Sequence, residues 1–265
     1  MSDTMIAVII GIVEGLTEFL PVSSTGHMIL VGNIIGFNDE AAKVFEVVVQ
    51  LGAILAVVFF YKDKFARYLT SEGWDKNKGM SAWHIAVGIV PVMLIAYALR
   101  KPIKMYLFSP QTVVVGLIIG GIMMLVAEKY GPKKTTHDVM DISLKQAFLI
   151  GSFQLFSLWP GFSRSGSTLS GALFLGVDRK AAADYSFIIA VPIMVVACSY
   201  DLLKSWSILS ANDLYMISVG FVVAFFVSYV AVAWFLRFLN KSSLAAFAYY
   251  RFIIAGFSYW YFVIR

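Results

Sequence analysis

Apolar runs long enough to cross a bilayer recur six times in this chain: Val44 to Tyr61, Ala82 to Leu99, Ser109 to Ala127, Tyr185 to Leu203, Leu214 to Leu236 and Leu244 to Ile264. A hydrocarbon core about 30 Å thick needs ~20 such residues in a helix. A soluble domain of this size still exposes roughly a quarter of its chain's surface, and with 60% of the 265 residues apolar that surface would be largely greasy. Only 14% of the residues are charged, against about 25% in soluble domains. Aromatic residues at 15% and a single cysteine, Cys198, exclude disordered and disulfide-scaffold chains. The expected class is an all-α integral membrane protein with six transmembrane helices.

Two further apolar stretches are interrupted. Met5 to Leu20 contains Glu14, Thr17 and Glu18, then meets Pro21-Val22-Ser23-Ser24-Thr25-Gly26-His27 before a second apolar piece ending near Phe37. Ala147 to Trp159 runs into Pro160-Gly161-Phe162-Ser163-Arg164-Ser165-Gly166, followed by a piece ending near Val177. Irregular polar backbone at membrane depth is tolerated only inside protein or around a wet cavity, so each stretch is expected to be a re-entrant helical hairpin. Sliding the chain by 140 places Gly11, Ser23, Gly26 and Gly36 on Gly151, Ser163, Gly166 and Gly176, and Glu14 on Gln154. The element order, a hairpin and then three crossings, also repeats. An odd number of crossings per half makes the second half enter from the opposite side, an inverted-topology repeat. The chain then reads as one membrane domain, 1–265, with repeats at about 1–140 and 141–265.

The net charge of +5 would suit nucleic acid in a soluble protein. Here the basic residues fall in short loops between apolar runs, where they set orientation instead. Thirteen of the 21 lie on one side, including Lys62, Lys64, Arg67, Arg179, Lys180 and Arg237. Six, Lys43, Arg100, Lys101, Lys104, Lys204 and Arg265, lie on the other. The richer side is expected to be cytoplasmic, so both termini and the first hairpin's mouth face outward. The opening Met-Ser-Asp-Thr-Met has no basic residue, so no cleaved signal peptide is expected.

Ionisable groups at membrane depth are costly and mark function. Glu14 and Glu18 share a helix face, and two adjacent carboxylates stay ionised most cheaply around a divalent cation or beside Arg or Lys. A hard-oxygen pair suits Mg²⁺ or Ca²⁺, which also take a substrate's phosphate oxygens. Ser23, Ser24, Thr25 and Gly26 open a half-helix whose N-terminus offers free N–H groups to an anion. His27 is three residues after Ser24, within reach of its hydroxyl as a base. Ser163, Ser165, Gly166 and Thr168 repeat that anion cradle, and Arg164 adds a fork suited to phosphate. Arg251, the other membrane-depth arginine, either touches phosphate or pairs with Asp201 or Glu46. A diphosphate carrying a lipid tail fits this set.

Glu14-Gly-Leu-Thr-Glu-Phe-Leu-Pro-Val-Ser-Ser-Thr-Gly-His27 and Pro160-Gly-Phe-Ser-Arg-Ser-Gly-Ser-Thr168 resemble the two signature motifs of the bacterial undecaprenyl-diphosphate phosphatases, also called bacitracin-resistance proteins. The likeness extends to Phe45-Glu-Val-Val-Val-Gln-Leu-Gly52 and Tyr250-Arg-Phe252. It implies a multi-pass inner-membrane enzyme, dependent on a divalent cation, that removes the terminal phosphate of undecaprenyl diphosphate and recycles the carrier lipid for the cell wall. On that reading Ser24 attacks phosphorus with His27 as general base and acid. Glu14 and Glu18 hold the cation, and Arg164 with Ser163 and Ser165 stabilises the phosphoryl oxygens. His27 as nucleophile and a metal-bound water stand as variants. Lipid is the only partner required, and a homodimer is compatible with the sequence. The rival is a lipid-phosphate flippase or secondary transporter, for which inverted repeats with broken helices are the usual signature.

Overall fold

The computed structural model describes residues 1–38, 40–107 and 109–264. Arg265 and the side chain of Lys104, both counted above on the less basic side, lie outside them. Helices dominate, and the described residues contain no β-structure beyond an isolated bridge between Thr136 and Val177.

Local capping chemistry sets most helix starts. Helix α1 (Asp3–Thr17) begins where the Ser2 hydroxyl accepts from the Met5 N–H. After a turn, α2 (Ser24–Ile35) runs to Gly36, whose φ of 73° closes the helix in the left-handed conformation. Next come α3 (Glu40–Phe60), a short α4 (Lys62–Tyr68) and α5 (Ala82–Tyr106), which carries Pro91 and Pro102 within it. Ser109 caps α6 (Pro110–Tyr130), with Pro110 at the first helical position, where its missing N–H costs nothing. The second half opens on another broken pair. Helix α7 (Leu144–Phe153), capped by Ser143 and Gln146, passes into a 3₁₀ turn over Gln154–Leu158 and then into α8 (Arg164–Phe174). Three helices follow: α9 (Arg179–Ser205), α10 (Ala211–Leu239) and α11 (Ala245–Tyr259).

Five helices, α3, α5, α6, α9 and α10, are long and apolar enough to cross a membrane. Helices α9 and α10 extend beyond their apolar runs because Asp178 and Ser210 supply N-caps upstream. The sixth expected span is α11, whose 15 residues give way to a π-helical segment over Trp260–Ile264. Its α-helical part is therefore shorter than the other five. Both broken stretches form helix–turn–helix pairs, α1/α2 and α7/α8.

Glycines set how closely the helices approach. A methyl added at Gly11 would sit 2.8 Å from the Gly220 carbonyl oxygen, and one at Gly52 would sit 2.3 Å from that of Phe221. Small residues thus let α1 and α3 lie backbone to backbone against α10, the packing that lipid-embedded helices favour. The main core gathers around α8 and α9, where Phe19, Leu169, Phe187 and Phe235 are fully buried. Large apolar side chains such as Leu94, Tyr97, Val230 and Ile253 are instead exposed on the outside of the bundle.

Candidate active site

Each broken pair turns at a serine held in a backbone conformation that L-residues avoid. Ser23 has φ 72° and Ser163 has φ 75°, and among the described residues no other non-glycine has positive φ. Each hydroxyl accepts from the N–H of the glycine three positions on, Gly26 at 3.3 Å and Gly166 at 3.2 Å. Two turns 140 residues apart therefore share one local geometry. Conformations of this kind cost about 1–3 kcal/mol each and persist where the surroundings over-determine them.

The two turns meet. The Ser165 hydroxyl donates to the Leu20 carbonyl at 2.9 Å, and Arg164 Nη2 lies 3.2 Å from Glu18 Oε1. Behind them Arg251, fully buried on α11, donates Nη1 to the Pro21 carbonyl in the first turn and Nη2 to the Gly161 carbonyl in the second. Its remaining donors go to Gly116 and Leu117 of α6. The structure thus corrects one expectation for Arg251: among the described residues it pairs with neither Asp201 nor Glu46. Backbone carbonyls, unlike carboxylates, are present wherever a helix breaks, and here they take up most of the fork, with Met124 Sδ 3.7 Å from Nη1.

In front of the turns is a cavity of about 160 Å³. Glu18, Ser23, Ser24 and Thr25 line it from the first turn, and Trp159, Pro160, Gly161, Ser163 and Arg164 from the second. Ser157, Gln50 of α3 and Met194 of α9 complete it. The Ser24 hydroxyl donates to Glu18 Oε2 at 2.5 Å, leaving the other carboxylate oxygen to Arg164. Arg164 also donates to the Ser186 carbonyl at 3.2 Å and covers the Phe19 ring, so its fork is held from three sides. Glu14, one helical turn before Glu18, is fully buried, and neither of its oxygens has a hydrogen-bond partner.

His27 is placed differently from its expected role. Its Nδ1 lies 2.8 Å from the Ser23 carbonyl and its Nε2 lies 2.8 Å from the Tyr250 hydroxyl, with the two rings nearly parallel. A carbonyl only accepts, so Nδ1 carries the proton, and both ring nitrogens are engaged away from Ser24. A three-residue separation brings the two residues near in sequence, but the first helical turn points their side chains apart. Gly26, Ser165, Gly166 and Thr168 likewise lie behind the cavity wall. Thr168 is fully buried against Ser186 and the Arg164 carbonyl, and Ser165 is spent on Leu20. Gln50, Ser157, Trp159 and Tyr250 did not stand out as site residues in the sequence. Trp159 had a signal, since it ends the second broken stretch beside Pro160.

Membrane-length apolar helices, with two broken pairs closing around Ser24, Glu18 and Arg164, make this a helical membrane protein with a polar site in its interior. The chain belongs to the bacitracin resistance protein BacA family, whose profile matches residues 7–257. It is 48% identical over 256 residues to proteins named undecaprenyl-diphosphatase 1 from Bacillus thuringiensis and Bacillus cereus. It is 47% identical to the protein of that name from Bacillus anthracis. Each alignment covers 96% of this chain and 97% of the relative.

Proposed function

We propose that the chain is an undecaprenyl-diphosphate phosphatase, hydrolysing the terminal phosphate of the lipid diphosphate to give undecaprenyl phosphate and inorganic phosphate. The carrying observation is the Ser24–Glu18–Arg164 chain of contacts at the wall of one cavity, a nucleophile, a base and a fixed cation in line. The curated relatives' names point the same way.

In this mechanism the Ser24 oxygen bonds to the terminal phosphorus as the bridging P–O bond breaks, and undecaprenyl phosphate leaves. The Ser24 proton passes to Glu18 Oε2, the acceptor it already touches. Arg164 supplies donors to the equatorial oxygens of the transferring group, where phosphoryl-transfer charge accumulates. Water then attacks the phosphoserine, the Oγ–P bond breaks, Glu18 returns its proton to the Ser24 oxygen, and inorganic phosphate departs with the protons of the water. His27 is a positioning residue that braces the Ser23 carbonyl, and so the strained turn, against Tyr250.

A divalent cation fits this site through Glu14. Its two buried oxygens have no hydrogen-bond partner, and its charged neighbours are Glu18, Glu46 and Arg164. No cluster of three or more His, Cys, Asp or Glu suited to a metal exists among the described residues, so the chain offers a two-carboxylate set, Glu14 and Glu18. Mg²⁺ is commonly bound by one or two carboxylates with waters and substrate phosphates. When bound, it would neutralise the diphosphate.

The hairpins are read as re-entrant, α11 as the sixth span, and the halves as an inverted repeat with the site facing outward. The matched turns at Ser23 and Ser163 support the repeat, and the basic loops support the orientation. Detergent-purified protein given undecaprenyl diphosphate and Mg²⁺ should release inorganic phosphate with no gradient present. A pure flippase or transporter would release none, and that outcome would refute the phosphatase reading.

A further inference from the structure

A second cavity, of about 350 Å³, opens far from the first. Both are reached along α3 and α9: Gln50 and Met194 line the first, Tyr61 and Asp184 the second. Ten or eleven residues of helix separate the two levels, about 15 Å at 1.5 Å per residue. The second cavity forms where α3 ends, α9 begins and α10 ends, so three membrane-spanning helices place its mouth at one bilayer interface.

Its walls have two characters. Phe60, Ala233 and Leu236 give an apolar side, while Lys180 and Arg237 stand exposed at the rim. The only acid in the wall, Asp184, is already committed: the Tyr61 hydroxyl donates to it at 2.5 Å and Lys64 lies 3.7 Å away. Among the described residues Arg237 makes no hydrogen bond or ion pair, and Lys180 is only an electrostatic neighbour of Asp184. The cavity therefore has an uncompensated positive rim over an apolar slot. Trp234, on the same turn of α10 as Arg237, is half exposed on the outer face, as expected of aromatic side chains at headgroup level.

We propose that this cavity binds the phosphate headgroup of an anionic phospholipid, with the phosphate between Lys180 and Arg237 and an acyl chain along Phe60 and Leu236. Free phosphate shares the charge chemistry but makes no use of the apolar slot. Basic pockets between membrane helices take lipid headgroups in this way. The site is independent of the phosphatase reading.

The test is native mass spectrometry of the full chain, released from nanodiscs of mixed phosphatidylglycerol and phosphatidylcholine. Each cation near the surface contributes about fivefold to anionic-lipid binding. The double variant Lys180→Gln, Arg237→Gln should therefore retain about 25-fold less phosphatidylglycerol, with phosphatidylcholine retention and phosphate release from the first cavity unchanged. The charge-preserving pair Lys180→Arg, Arg237→Lys should retain the lipid, which separates lost charge from lost folding. Equal phosphatidylglycerol retention by wild type and the neutral variant would overturn the proposal. So would displacement of the lipid by millimolar inorganic phosphate, which would make this a site for the free ion.

Discussion

Ser24 and Glu18 are joined by a 2.5 Å hydrogen bond across the first turn, six residues apart in the chain. A nucleophile and its base act as a unit, so their losses do not multiply. Ser24→Ala and Glu18→Gln should each cost roughly 10² to 10⁴ in turnover, and the double variant little more than the worse single one. His27 touches neither Ser24 nor the cavity wall, so His27→Asn should cost less turnover than either single variant. A loss in His27→Asn as large as that in Glu18→Gln would return the base role to the histidine. Initial rates of phosphate release decide it.

Arg164 is fixed by Glu18, the Ser186 carbonyl and the Phe19 ring. Lysine keeps the charge but has no fork and cannot reach two oxygens of one phosphoryl group in that plane. Arg164→Lys should lower turnover by about tenfold or more, near the 1.4 kcal/mol that a factor of ten represents. Steady-state kinetics showing an unchanged kcat would reduce Arg164 to a counter-ion of Glu18.

The positive φ of Ser163 sets up a three-way comparison. Ser163→Ala keeps the strain and loses the cap to Gly166, a loss of about 1 kcal/mol. Ser163→Gly loses the same cap but removes the strain. Thermal unfolding in detergent should therefore rank glycine above alanine. An alanine variant as stable as the glycine one would mean that the turn does not hold this geometry.

Gly161 combines φ 90° with a space that is already taken, since an added methyl would sit 2.2 Å from the Val113 carbonyl oxygen. Gly161→Ala should destabilise the protein by several kcal/mol, as overpacking and backbone strain add. Gly256, which has no heavy atom within 4 Å of the same point, is the control: Gly256→Ala should change stability by no more than about 0.5 kcal/mol. Yields of folded protein on size exclusion should separate the two.

Orientation has its own measurement. With Cys198→Ser as background, a cysteine at Asn38 should react with an impermeant thiol reagent in intact spheroplasts, and one at Asn77 only after lysis. Both positions are exposed. The reverse pattern would turn the molecule over and move the site to the other face.

What could be read from the chain alone was whatever the chain decides locally. The Pro21-Val22-Ser23-Ser24 break and the N-caps depend on neighbours within a turn, and the helix pairs formed there. The Glu18–Arg164 contact was not drawn from the chain, where Arg164 reads as a phosphate contact and Glu18 as a cation ligand; it joins residues 146 positions apart. The Tyr250 partner of His27 is 223 positions away in the chain, and nothing near position 27 hints at it. Gln50 and Met194 reach the cavity only because α3 and α9 pack side by side. Apart from the Met124 sulfur, the acceptors of Arg251 are backbone atoms, which leave no mark on the side-chain sequence.

That last arrangement orders the making of the protein in time. A guanidinium in the middle of an apolar helix costs about 2.5–3.5 kcal/mol to insert when it has no partners, and the carbonyls that receive Arg251 come from both turns and from α6. Everything Arg251 needs has therefore been synthesised before it leaves the ribosome, and it has nowhere to settle until the two hairpins are already together. Helix α11 locks parts that were made before it, so a growing chain that has not reached position 251 holds a loose site and one that has passed it closes it.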